Sequence, residues 1–231
     1  DSDTGRAYFK AESDMMLADG APAFEFDERP YGFREGALRE EPGGRRYARV
    51  REVALPFFSF IPAAPRGARV TCCSIPIDDV TTAQWYILYD SDGPLTRDLM
   101  GAFGTWSEDP DHFNADMGDA SNLWHQDREA MKAGHWSGIT GRGNAYEDFA
   151  VQESMGPIVD RSKEYLGTCD RVIYRARRLL LEAVRRHRDS GELSFVGEAI
   201  DFAAIRAVSF AYPAEADWRD IDPEALMEAA E

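Results

Sequence analysis

From Thr168 to Gly191 the chain carries its longest unbroken helical period. Val172, Ile173, Ala176, Leu179, Leu180, Ala183 and Val184 recur at steps of three and four, while Arg171, Arg175, Arg178, Arg185 and Arg188 spread mostly over the other face. That is an amphipathic helix with one apolar stripe. Thr168 is suited to cap it, Asp170 to sit in its first turn, and Ser190-Gly191 to end it. Such a stripe needs a surface to lie on, and the alternating segments upstream predict a sheet for it to pack across.

Phe24-Glu25-Phe26-Asp27-Glu28 has the period of two of a half-buried strand, and Tyr31-Gly32-Phe33 begins a second. Arg39 to Arg46 turns around Pro42-Gly43-Gly44, after which Tyr47, Arg49, Arg51 and Val53 alternate against Ala48, Val50 and Glu52. Leu55-Pro56-Phe57-Phe58-Ser59-Phe60-Ile61-Pro62 is apolar but bracketed by prolines, which predicts an edge strand or a strand end. Phe57, Phe58 and Phe60 are open to two readings there, a pocket lining or ordinary core filler. Residues 69–77 and 82–89 are rich in β-branched and aromatic side chains and predict a further hairpin, with Asp78 and Asp79 as turn residues rather than metal ligands. Between Asp90 and Gly143 the periodicity fades, yet Phe103, Trp106, Phe113, Trp124 and Trp136 predict an ordered covering layer rather than disorder. The tail through Phe202, Ile205, Val208 and Phe210 is weakly patterned and interrupted by Pro213 and Pro223. The fold class is α+β, an antiparallel sheet packed against a long C-terminal helix, with one domain over residues 1–231.

The chain has 42 acidic and 26 basic residues, a formal charge of -16, and no basic stripe. Nucleic acid and anionic membranes are therefore excluded as partners, and small molecules or proteins are favoured. Cys72, Cys73 and Cys169 form neither a disulfide framework nor a metal knuckle, which fits a reducing cytoplasm. No apolar run approaches the roughly 20 residues that span a bilayer, and Asp1-Ser2-Asp3 is no signal peptide, so a soluble, cytoplasmic protein is expected. The lack of an initiator Met predicts a portion of something longer. His112, His125, His135 and His187 show no paired spacing, Gly138 to Gly143 lacks the strand-turn-helix setting of a phosphate loop, and no Gly-x-Ser-x-Gly elbow occurs. On local grounds Glu147, Asp148 and Glu153 are acids near a helix start, favoured by its dipole.

The order of several motifs adds to this. Asp127-Arg128-Glu129, Ser137-Gly138-Ile139-Thr140-Gly141, the run Glu147-Asp148-Phe149-Ala150-Val151-Gln152-Glu153-Ser154-Met155-Gly156-Pro157-Ile158, Asp160-Arg161-Ser162, Glu164-Tyr165-Leu166-Gly167 and Arg177-Arg178-Leu179-Leu180 resemble the C-terminal catalytic region of Rieske non-haem iron oxygenases. The phthalate dioxygenase-like branch, which also holds vanillate-demethylase-type enzymes, is the most similar. Pro56-Phe57-Phe58 and Pro76-Ile77-Asp78-Asp79 with Trp85 are similar to its sheet region. The resemblance implies a mononuclear iron(II) held by two histidines and one carboxylate beside an aromatic substrate, with positions left open for O2. Asp148 stands where that family has its carboxylate ligand, so it is the expected catalytic and metal-binding residue. Glu147 and Gln152 are the expected groups around it, and Phe57, Phe58, Phe60 and Trp85 the expected substrate pocket.

The family's paired histidines and the Cys and His ligands of its 2Fe-2S Rieske cluster have no counterpart in this sequence. The resemblance therefore implies the C-terminal part of an oxygenase α subunit, without the Rieske domain and the His-ligand helix, and inactive alone. Electrons are expected from a reductase or ferredoxin, through a cluster on a neighbouring subunit of a homotrimer. Hydroxylation and O-demethylation of an aromatic ring share this scaffold. The competing readings are a helix-grip binding module that holds an apolar ligand without metal or catalysis, and a non-catalytic subunit.

Overall fold

In a computed structural model, residues 14, 16–63, 68–90, 93–95, 118–140, 144–197, 199–222 and 225 are described. The chain divides into two compact units, one of residues 16–94 with 164–231, the other of residues 1–15 with 95–163.

The first unit is built on one antiparallel sheet. Its strands are β1 (Ala23–Arg29), β2 (Gly32–Glu41), β3 (Arg45–Ala54), β4 (Phe58–Phe60), β5 (Arg69–Pro76), β6 (Thr82–Tyr89) and β7 (Val208–Pro213). The first six lie side by side in chain order, and β7 pairs with β3. β3 is long enough to serve two partners along one edge: Arg45 to Val50 pair with β7, and Glu52 to Ala54 pair with β4.

The expected hairpins form. β2 continues to Glu41 and β3 begins at Arg45, so the turn contracts to Pro42-Gly43-Gly44, with Gly43 and Gly44 both at positive φ. At the β5–β6 turn Asp78 Oδ1 accepts from Val80 N (2.8 Å) and Thr81 N (2.7 Å), the expected turn role. Of the two readings of the Pro56–Pro62 segment, the structure takes the strand end: both prolines flank the short β4, which lies between β3 and β5 rather than at an edge. Three residues of ladder fit between two prolines without asking either to donate.

Alternation gives the sheet two apolar faces, each with its own core. On one face Leu38, Ala48, Val50, Val208, Phe210 and Tyr212 pack with Trp218. Trp218 lies over Gly36, where a Cβ would stand 2.9 Å from its ring, and its Nε1 donates to Glu25 Oε2 at 2.8 Å. Arg34 and Arg219 stack on the same indole at 5.1 and 4.9 Å. On the opposite face Phe33 packs with Leu55, Val172 and Leu179, joined by Phe24, Phe26, Val53, Ala176 and Leu180. The last cluster is how the long C-terminal helix, Arg171–Ser190, meets β1 and β2.

That helix ends as expected at Gly191, which is left-handed (φ 75°) and donates to His187 O at 2.8 Å. It starts later than expected. Thr168 opens a 3-10 turn, Thr168–Asp170, and Asp170 takes the cap position, its carboxylate accepting from Gly167 N at 2.8 Å. The stripe is also narrower than its sequence: Val172 and Leu179 are buried, whereas Ile173 and Val184 are 45 % and 66 % exposed. Among the described residues, the helix lies chiefly against the β1–β2 side of the sheet.

The tail departs most from the sequence reading, because the segment taken as weakly patterned contains β7. Val208 and Tyr212, each 2 % exposed, are among the most buried side chains of the described residues.

Among the described residues the second unit contains two 3-10 stretches, Ala120–His125 and Arg161–Lys163, and two helices, α1 (Arg128–Lys132) and α2 (Asn144–Ser154); the long helix of the first unit is α3 (Arg171–Ser190). Asp127 caps α1 by accepting from Glu129 N and Ala130 N at 2.8 and 3.0 Å. Of the covering layer expected between Asp90 and Gly143, Phe103, Trp106 and Phe113 lie outside the described residues, as does His112.

Candidate functional site

Helix α2 carries the acidic run. Its buried side is Ala145, with Tyr146 and Phe149 partly buried, and its other side is polar. Glu147 stands in the first turn and Asp148 follows it, so the dipole argument covers Glu147 better than Asp148.

The three acids of this helix have different surroundings. Glu147 is partly buried, and its Oε1 accepts from the Ser137 hydroxyl at 2.5 Å. Glu153 Oε2 accepts from Trp124 Nε1 at 2.7 Å. Asp148 is exposed, and no hydrogen bond or ion pair holds it among the described residues. Partial burial and the neighbouring Glu147 charge hold its carboxyl above the usual aspartate range. Gln152 is one turn further along the same side, exposed. Ser137 and Trp124 thus fix the flanking acids and leave Asp148 as the open carboxylate. Sequence reasoning missed both clamps, since neither residue belongs to the helix it anchors.

Among the described residues no group of three or more His, Cys, Asp or Glu side chains could hold a metal ion. His135 accepts at Nδ1 from Gly138 N (3.0 Å), which ties it to the loop before α2. A carboxylate with no partner among the described residues suits one place in an iron coordination sphere.

The aromatic residues belong to the sheet unit. Strand register puts Phe58, Cys73 and Trp85 in one row across β4, β5 and β6, with Phe60, Thr71 and Ile87 in the next. Side chains directly opposite one another share a face, so Phe58, Phe60, Trp85 and Ile87 form one apolar surface. Phe58 and Phe60 stack with ring centres 6.4 Å apart. Phe58, Trp85 and Ile87 are 39, 46 and 45 % exposed, which removes the core-filler reading for Phe58. Phe57 lies in the turn before β4, outside this register, and is also exposed.

The same face holds an acid that the sequence reading left aside. Glu52, opposite Phe60, is buried, and its Oε2 accepts from the Tyr31 hydroxyl at 2.6 Å. Burial pushes its carboxyl up to about 7, against the opposing pull of Tyr31, Arg34 and Arg29. The signal was present: in the β3 alternation Glu52 falls with Ala48 and Val50, an acid in an apolar row. A separate cleft of about 420 Å³, between β1 and the start of α3, has Phe24, Phe26 and Val172 for its floor. Arg171, Arg175 and Arg219 also line it, and two of them are engaged, Arg219 by Glu25 (2.7 Å) and Arg175 by Glu28 (3.5 Å).

Residues 10–231 match the model of a family described as LigXa C-terminal domain like. The chain is also similar to the phthalate 4,5-dioxygenase oxygenase subunit of Pseudomonas putida, 31% identical over 209 residues, which is 87% of this chain and 47% of that protein. The 3-chlorobenzoate-3,4-dioxygenase oxygenase subunit of Comamonas testosteroni is 29% identical over 223 residues, covering 86% of this chain and 49% of the relative. The chain belongs to the LigXa C-terminal domain-like family, and its resemblance to the catalytic region of Rieske oxygenase α subunits stands. It spans about half the length of the curated relatives it matches.

Proposed function

We propose that this chain is the C-terminal catalytic part of an aromatic-ring oxygenase and contributes Asp148 as the carboxylate ligand of a mononuclear iron(II). The observation that carries the reading is the contrast on α2: Glu147 and Glu153 are engaged by Ser137 and Trp124, and Asp148 alone of the three has no partner among the described residues. Membership of the family and the names of the two oxygenase-subunit relatives support it.

In this reading bound iron supplies the activation of O2, since two imidazoles and one carboxylate leave neighbouring positions open. Asp148 binds, Glu147 holds the start of the helix through Ser137, and exposed Gln152 stands one turn on as a hydrogen-bonding group beside the ligand. Phe58, Phe60 and Trp85 offer a flat apolar face to an aromatic substrate, with Phe57 at its margin. The two histidines and the 2Fe-2S Rieske cluster belong to further segments, a reductase or ferredoxin delivers the electrons, and the working assembly is a homotrimer. Hydroxylation and O-demethylation are both chemistries of this class.

The 231-residue chain alone is the first test. One carboxylate does not hold iron(II) against water, so metal analysis after dialysis finds sub-stoichiometric iron. Tight, stoichiometric iron that survives Asp148→Ala would place the ligands elsewhere and overturn the assignment.

A further inference from the structure

The cleft between β1 and the start of α3 has an apolar floor and more positive charge than its acids neutralise. Its floor, Phe24, Phe26 and Val172, belongs to the sheet face that α3 covers, opposite the face of Phe58, Phe60 and Trp85. Its volume of about 420 Å³ is near the low end of the range of about 300–1,000 Å³ for small-molecule pockets, which suits a single ring. Glu25 and Arg219 on its wall satisfy each other. Glu25 Oε2 accepts from Arg219 at 2.7 Å and from Trp218 Nε1 at 2.8 Å, and Arg219 also holds Asp217 at 3.0 Å.

Arg171 and Arg175 are left, one turn apart on α3. Arg171 is exposed and has no hydrogen bond or ion pair among the described residues. Arg175 lies over the Phe26 ring, 5.3 Å from its centroid, and meets Glu28 at 3.5 Å, with the two side chains 48 and 56 % exposed. So open a bridge contributes little, and an entering anion displaces Glu28 easily. The remaining acid of β1, Asp27, is on the other face and is answered by Arg29 and Arg34 at 2.8 and 2.6 Å. Two like charges one turn apart repel unless an anion joins them. The same two arginines border a second cleft, of about 400 Å³, with Leu166 and Tyr174. Asp170 stands in that cleft as an anion, so charge favours the one over β1.

We propose that this cleft binds a small aromatic carboxylate, its ring on Phe24, Phe26 and Val172 and its carboxylate held by Arg171 and Arg175. The planar guanidinium fork matches a carboxylate, and the floor takes the ring. The site is separate from the face that carries Phe58 and does not depend on that face being the substrate seat. A ligand there touches both β1 and α3, so its binding stabilises the helix on the sheet.

The test titrates benzoate, benzamide, acetate and benzylamine into the 231-residue chain at low salt and about pH 7, where benzoate is an anion and benzylamine a cation. Binding is read from amide chemical shifts and from the melting temperature. Benzoate binds about tenfold more tightly than benzamide or acetate, shifts the amides of Phe24, Phe26 and Val172, and raises Tm, while benzylamine moves none of them. Arg171→Gln weakens benzoate about tenfold and leaves benzamide unchanged. Glu28→Gln, which frees Arg175, tightens benzoate severalfold. Both substituted side chains are exposed, so the fold is kept. Benzamide binding as tightly as benzoate would reduce the cleft to an apolar hollow and overturn the proposal. Acetate binding as tightly as benzoate would overturn it too, since the ring would then contribute nothing. Benzoate shifts confined to β4 to β6 and unaffected by Arg171→Gln would put the ligand on the Phe58 face, and no shift at Phe24, Phe26 and Val172 would leave the cleft without a ligand.

Discussion

The Tyr31 hydroxyl donates to Glu52 Oε2 at 2.6 Å, and it is the only hydrogen bond the buried carboxyl accepts among the described residues. Burial raises the carboxyl from 4.5 to about 7. The folded state therefore holds this proton more tightly than the unfolded chain does. The stability linked to it is fully present below pH 4.5 and is lost as pH rises through about 7. Across that window the loss is on the order of 3 kcal/mol. Urea unfolding at pH 5 and pH 8 checks this: Glu52→Gln should gain stability relative to the unmodified chain at the higher pH. An equal difference at both pH values would show that Glu52 does not titrate in this window.

Helix α3 is anchored by one narrow face. Leu179, 9 % exposed, packs with Phe33, Leu55 and Val172, while Leu181 is 54 % exposed. Leu179→Ala should cost about 2–5 kcal/mol, and Leu181→Ala no more than about 0.5. Chemical denaturation of the two variants reads the difference directly, and equal losses would place the helix in a different rotation.

Gly36 is required by Trp218 rather than by backbone conformation. A Cβ there would stand 2.9 Å from the indole, at the centre of the core that β7 completes. Gly36→Ala should cost about 1–3 kcal/mol and change the near-UV circular dichroism of the Trp218 environment. In Trp218→Leu the same change should be much milder, which a double-mutant cycle measures.

Strong local signals were the legible part of the fold. The alternation of β1 to β3, the Pro42-Gly43-Gly44 turn, the Asp78 turn and the Gly191 stop each depend on neighbours in sequence. β7 lacked such a signal of its own partner, because it pairs with β3 from the far end of the chain. Its Val208-Ser209-Phe210-Ala211-Tyr212 alternation is short and ends at Pro213, so the period alone left it weak. At the candidate site, Asp148 stood out through the order of a whole motif, not its spacing. That Ser137 and Trp124 engage its neighbours is a tertiary fact with no trace in local pattern, and so is the pairing of Tyr31 with Glu52.

The role proposed for Asp148 is tested most directly by metal analysis of the longer polypeptide that the proposed function implies, in which this chain would be joined to Rieske and histidine segments. Asp148→Ala should abolish mononuclear iron and oxygenase turnover while the Rieske absorbance stays at full strength. Ser137→Ala, which removes the hydrogen bonds to Glu147 and from Ile139 N but none to Asp148, should retain most of the iron. Full mononuclear iron and turnover in Asp148→Ala would contradict the account and move the carboxylate ligand to another residue.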